Sequence, residues 1–208
     1  RKSAQRDAFV TMDFSSYKLD AAIVDAARGA FGAAIAEYPD HKFFGFALTT
    51  LAEVQYIECS VNSDRNFEEI LPKEMPYSRT ETELQQMLYY KWSPNEWGKF
   101  EYFGQEDRDF FAPVNALLNR IEADAAAVLD WEESFSARRL YVFDMMIEAL
   151  KALDDSGCFG SGRVRRGRLA FADIYDDPAE SELRKRSVRE INGGRVPPAL
   201  ITEFLGLE

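Results

Sequence analysis

The chain is expected to fold as an α+β protein, with a small, mainly antiparallel sheet covered by several helices in a single domain. Two observations carry this expectation. Long stretches repeat apolar residues at intervals of three and four, as helices with one buried face do. Short stretches alternate, or run aromatic and β-branched, and two of them adjoin as a hairpin. A length of 208 residues suits one domain, in which folding buries roughly 70% of the unfolded chain's surface.

Residues 1–14 are polar and weakly patterned, and Met12 looks like a natural start, so they read as a disordered or non-native extension. Residues 15–208 then make the domain. Leu19, Ile23, Ala26, Ala27, Ala30, Ala34 and Ile35 mark a helix that ends before Pro39, with Gly29 and Gly32 permitting close packing. Lys42–Thr50 and Glu53–Val61 predict an antiparallel hairpin turning near Thr50 to Ala52. Ser63 can cap a short helix reaching Leu71, and Pro72 and Pro76 interrupt the segment after it. Thr80 and Glu83 form a capping box for a helix through Leu84, Met87 and Leu88 that stops around Trp92.

Pro94 places a turn at Ser93 to Asn95, and Lys99–Phe103 alternates as a strand would. A long helix is expected over Asp107–Leu129, buried along Phe110, Phe111, Val114, Leu117, Leu118 and Ile121. Asp130 followed by Glu133 starts the next, with Leu140, Phe143, Ile147 and Leu150 as its stripe. Gly157–Gly167 holds four glycines and reads as a loop, and Arg168–Tyr175 alternates as a strand. Asp177, Pro178 and Glu180 spell a helix start. That helix should run to Ile191 and break at Asn192 to Gly194, before a short one over Pro197–Leu205.

A formal charge of −11 repels phosphate backbones and anionic lipid, so neither nucleic acid nor a membrane is an expected partner. It attracts a basic protein. Cys59 and Cys158 read as two reduced thiols, and a cytoplasmic location is expected. No metal and no cofactor is expected.

The candidate sites are few. Asp173, Asp176 and Asp177 follow a strand end, where carboxylates can hold Mg²⁺ or act as bases, but capping accounts for Asp177. His41, the sole histidine, and Cys158 could pair only through the fold. The glycines of 157–167 lack the lysine of a phosphate loop. Arg163, Arg165 and Arg166 make a possible patch for an anion or an acidic partner. Arg168, Arg184, Lys185, Arg186 and Arg189 add positive charge to the same C-terminal quarter. Most individual is Trp92 to Trp97, W-S-P-N-E-W. It is either a plug buried on the sheet or a groove in which Trp92, Glu96 and Trp97 bind a partner.

Phe44 to Leu48 (F-x-F-A-L), Lys91 to Trp97, Ala170 to Asp177 and Ser187 to Asn192 (S-V-x-x-x-N) occur in an order that resembles the bacterial family called domain of unknown function 4303. The likeness covers about Leu19 to Leu205 and implies no catalytic residue. Small acidic families of this kind are similar in character to immunity proteins of toxin systems. The resulting expectation is a non-enzymatic protein-binding domain, in the form of an immunity protein that neutralises a basic toxin domain. The alternatives are an enzyme with a pocket around Trp92–Trp97 that uses Glu96 as acid or base, or a regulatory scaffold domain.

Overall fold

The computed structural model describes residues 13–74, 83–100 and 109–206. In chain order these form α1 (Leu19–Glu37), β1 (Phe43–Leu51), β2 (Glu58–Ser63), α2 (Asp64–Glu74), α3 (Glu83–Trp92), α4 (Ala112–Ala126), α5 (Trp131–Asp155), α6 (Gly162–Arg166), β3 (Leu169–Tyr175), α7 (Glu180–Asn192) and α8 (Pro198–Leu205). This is the expected α+β class. The sheet, in order β2-β1-β3, is mixed: β1 pairs antiparallel with β2 and parallel with β3.

Several local signals act as read. Asp130 accepts a hydrogen bond from the Glu133 N–H at 2.9 Å and starts α5, and Ser63 Oγ accepts from the Asn66 N–H at 3.2 Å at the head of α2. Others shift. β2 begins at Glu58, because Val54 takes a left-handed conformation (φ 50) in the connection and bonds back to Leu51. Lys99 and Phe100, expected to open a strand, belong to a 3-10 turn over Gly98–Phe100, and the remainder of the expected strand lies outside the described residues, as does Thr80 of the capping box. The glycine-rich segment contains a short helix, α6. Leu140, placed on the buried stripe of α5, is exposed, while Val142, Phe143, Met146, Ile147 and Leu150 form that stripe. Of the expected extension, Phe14 is buried and stacks on Tyr141, with ring centroids 4.9 Å apart. Residues 1–12 lie outside the described set.

The pleat divides the sheet's side chains between two faces. Phe46 and Leu48 of β1, Cys59 and Val61 of β2, and Ala170, Ala172 and Ile174 of β3 face the main core, built with α1, α4 and α5. The opposite face carries Gly45, Ala47 and Thr49, then Glu58 and Ser60, then Leu169, Phe171 and Asp173. Its covering is a second cluster in which Trp92, Trp97, Val188, Val196 and Phe204 pack on Ala47, Leu169 and Phe171.

Among the described residues β3 is an edge strand, and its outward amides at Ala170 and Ala172 are paired by side chains. Asn192 Oδ1 accepts from the Ala170 N–H at 3.1 Å while its Nδ2 donates to the Ala170 carbonyl at 2.7 Å. Ser187 Oγ accepts from the Ala172 N–H at 3.1 Å. Two side chains five residues apart on α7 thus do the work of a strand and cover the edge. That is the physical content of S-V-x-x-x-N.

Candidate functional site

The tryptophan element closes half of the second face. Pro94–Glu96 is one 3-10 turn, entered from an extended Ser93. Trp92 and Trp97 are both fully buried. Trp97 lies over Gly45, where an added Cβ would meet its Cη2 at 3.0 Å, and its ring meets Phe171 edge-on at 6.1 Å. Trp92 meets Phe44 and Phe204 in the same manner, and its N–H donates to Glu203 Oε1 at 3.1 Å. The Trp97 indole N–H has no hydrogen-bond partner among the described residues. Asn66 Nδ2 donates to the Trp97 carbonyl at 3.0 Å and Asn62 Nδ2 to the Lys91 carbonyl at 3.2 Å, fixing the backbone on both sides of the turn. Both indoles therefore belong to the core. Of the three candidates Trp92, Glu96 and Trp97, Glu96 alone reaches solvent, half-buried and accepting from the Tyr89 hydroxyl at 2.9 Å.

Where the plug ends, the same face opens into a cleft of about 350 Å³. It lies at the C-terminal ends of the parallel strands β1 and β3, the place where sheets of this kind leave a crevice. Thr49, Thr50 and Leu51 come from β1, and Tyr56 and Glu58 from the connection and β2. Tyr89, Ser93 and Asn95 come from α3 and the tryptophan turn, Tyr175 and Asp176 from the end of β3, and Glu180 and Arg184 from α7. The turn between the tryptophans is thus one wall of the cleft.

Charge in the cleft is one-sided. Among the described residues Glu58, Asp176 and Glu180 line it, and Arg184 is the one lining cation. Arg184 Nη2 is already held, by an ion pair to the wholly buried Asp173 and by a 2.9 Å bond to Glu180. Burial opposes the Arg184 charge, but Asp173 and Glu180 outweigh it and hold its pKa above the ordinary value. Burial, with Asp173 and Asp176 nearby, pushes the Glu180 carboxyl up. The Tyr56 phenol is raised too, by burial and then by Glu58, Glu53 and Asp176. Thr49 pairs in register with Glu58 on one side and Asp173 on the other, so its side chain stands between two carboxylates. Its Oγ1 is buried and has no hydrogen-bond partner among the described residues, and neither has Asp173 Oδ1. Asp176 holds a left-handed φ of 59 at the rim.

The profile of the family described as domain of unknown function (DUF4303) matches residues 23–193. The chain belongs to the DUF4303 family. No curated protein and no solved structure matches it. All the cleft residues of this DUF4303 protein fall inside the matched span, as do the S-V-x-x-x-N pair and the tryptophan element.

The remaining sequence candidates are dispersed. Asp177 Oδ1 accepts from the Ala179 N–H at 2.7 Å and its Oδ2 pairs with Arg139 at 2.8 Å, so it serves the turn before α7. Among the described residues no three His, Cys, Asp or Glu side chains converge to hold a metal ion. His41 Nδ1 bonds Ser63 Oγ at 2.8 Å among the rings of Tyr38, Phe43 and Phe100. Cys158 packs half-buried against the main core, and burial pushes its thiol up. Cys59 is buried, and its thiol is likewise raised by burial.

The arginine patch divides. Arg165 is core, bound by Asp154 through two 2.6 Å contacts and by Asn192 at 3.1 Å, while Arg163 and Arg166 are exposed. Arg186 pairs with Asp144 and Glu190, and Lys185 with Glu182, a solvated helix face. No helix among the described residues is long and apolar enough to cross a membrane.

Of the cleft, the sequence pointed to Asp173 and Asp176 at the strand end but not to Thr49, Glu58 or Glu180. Those are ordinary residues in sequence, and only the parallel pairing of β1 with β3 brings Thr49 beside Asp173.

Proposed function

We propose that this DUF4303 protein is a non-enzymatic binding domain that captures a basic protein at the acidic cleft. Its biological form, on this reading, is a cytoplasmic immunity protein that neutralises a basic toxin domain. The carrying observation is the cleft's charge: among the described residues Glu58, Asp176 and Glu180 line it, Asp173 lies beneath, and the lining cation Arg184 is already paired. A site with such a field lowers its free energy by admitting a cation, and the overall charge of −11 speeds the encounter. The test is co-purification with the products of adjacent reading frames, followed by protection of cells expressing them. Capture that weakens with salt and is lost in Glu58→Lys supports the reading. Capture that ignores both refutes it.

A second reading, an enzyme, draws on Glu180, a carboxyl pushed up by burial inside a cleft, which is how general acids are poised. It moves the acid–base role expected of Glu96 to α7. Glu180→Gln would then abolish turnover, and on this reading turnover has a pH dependence set by the raised Glu180 carboxyl that the variant lacks.

A further inference from the structure

We propose that the cleft is an arginine site: the guanidinium of a partner's arginine enters between Glu58, Asp176 and Glu180 and donates to Thr49 Oγ1. This rests on the reading of the protein as a captor of a basic partner and names the group captured.

The floor supplies an observation independent of the acidic rim. Thr49 lines the cleft, is 1% exposed, and its Oγ1 has no hydrogen-bond partner among the described residues. A buried hydroxyl without a partner carries a desolvation cost of about 1–3 kcal/mol, which a donor arriving in the cleft would remove. Apolar threonine substitutes of the same shape avoid that cost, so the hydroxyl is explained by what it meets.

Three features select a guanidinium among cations. No three metal-ligating side chains converge among the described residues, which favours an organic cation. Carboxylates reach the cleft from different directions, Glu58 from β2, Asp176 from the end of β3 and Glu180 from α7. That arrangement suits a planar group with five donors better than a compact ammonium. Tyr56 and Tyr89 also line the cleft, and Tyr89 is 44% exposed, so aromatic surface is present for a guanidinium to stack on. A volume of about 350 Å³ accommodates an arginine side chain.

The experiment titrates the intact protein with Nα-acetyl-arginine methylamide, its lysine counterpart and the neutral citrulline counterpart, followed by NMR shifts of the Thr49, Asp176 and Glu180 amides. We expect the arginine compound to bind about tenfold more tightly than the lysine one, a difference of about 1.4 kcal/mol, and citrulline to leave the shifts unmoved. Thr49→Val keeps shape and removes the hydroxyl, and Asp176→Asn suits the left-handed backbone as well as aspartate does. Each should weaken the arginine compound roughly tenfold while the protein stays folded, since hydrogen bonds to charged groups contribute about 1.5–3 kcal/mol. Equal binding of arginine and lysine, or full binding by Thr49→Val, overturns the proposal. Salt-sensitive capture of a basic protein without arginine preference would overturn the arginine site and leave the functional reading standing. Tight arginine binding with no protein captured would do the reverse.

Discussion

Asn192→Ala tests the account of the sheet edge most directly. In the native fold Asn192 is wholly buried, and its amide pairs both the N–H and the carbonyl of Ala170, which is itself 1% exposed. Its Oδ1 also accepts from Arg165 at 3.1 Å. Truncation removes all of these and leaves a space in which two backbone groups have no partner. An unsatisfied buried backbone group costs about 1–3 kcal/mol, so the pair predicts a loss of about 2–6 kcal/mol. For a chain of this length that lowers Tm by roughly 5–20 °C, at about 2–4 °C per kcal/mol. Ser187→Ala orphans the Ala172 N–H and removes a hydroxyl whose one proton is shared between the Ala172 and Arg184 carbonyls, both at 2.9 Å, so it should cost somewhat less than Asn192→Ala, about 1–4 kcal/mol. Differential scanning calorimetry gives the magnitude, and hydrogen exchange gives the location. The Ala170 amide should lose protection in Asn192→Ala more than the Ala172 amide, and Ser187→Ala should reverse that order. A loss below about 1 kcal/mol, the size of an ordinary net hydrogen bond, would refute the idea that α7 completes the edge.

Gly45→Ala places a Cβ 3.0 Å from Trp97 Cη2 and should cost about 1–3 kcal/mol in chemical denaturation, with Trp97 emission shifting red as the ring is displaced. Glu180 governs a pH effect. Its folded pKa lies above 4.5, so its stabilising contribution is full below 4.5 and is lost as the pH rises through the raised value. Melting profiles of Glu180→Gln should therefore lack a decline that the native protein shows from about 4.5 upward, and parallel profiles would contradict the placement of Glu180. Trp131 is 77% exposed whereas Trp92 and Trp97 are buried. Acrylamide should quench one of three tryptophans readily, and Trp131→Phe should remove that fraction; quenching that survives the substitution would mean an exposed indole in the turn.

The parts of the fold legible in sequence were those set by local chemistry. Asp130 and Ser63 cap helices because their oxygens reach N–H groups three residues on, whatever the rest of the chain does. The stripe from Leu19 to Ala34 buries a helix face for a similar reason. Asp177 shows where local reasoning loses its grip. It bonds the Ala179 N–H as a turn residue and spends its other oxygen on Arg139 from α5, so α7 begins three residues later, at Glu180. The mixed sheet was not legible, since strand polarity between β1 and β3 depends on the path of the long segment joining them. Leu140 misled because α5 turns a different arc to the core, centred on Val142, Phe143 and Met146.

The tryptophans drew attention for a reason that now separates into two parts. Large rings signal burial, and they are buried: Trp97 over Gly45 and Phe171, Trp92 against Phe44 and Phe204. Their element nonetheless shapes the cleft, because a plug that covers the apolar positions of one sheet face must stop where that face turns polar. Gly45 and Ala47 lead to Thr49 on β1, and Leu169 and Phe171 lead to Asp173 on β3. At that boundary Ser93 and Asn95 line the wall, with Tyr89 one helical turn before Ser93. The proline turn therefore seats two rings and ends the plug in a single short segment. A sequence shows the rings readily, but it shows the cleft beside them only when the parity of both strands and their parallel register are known together.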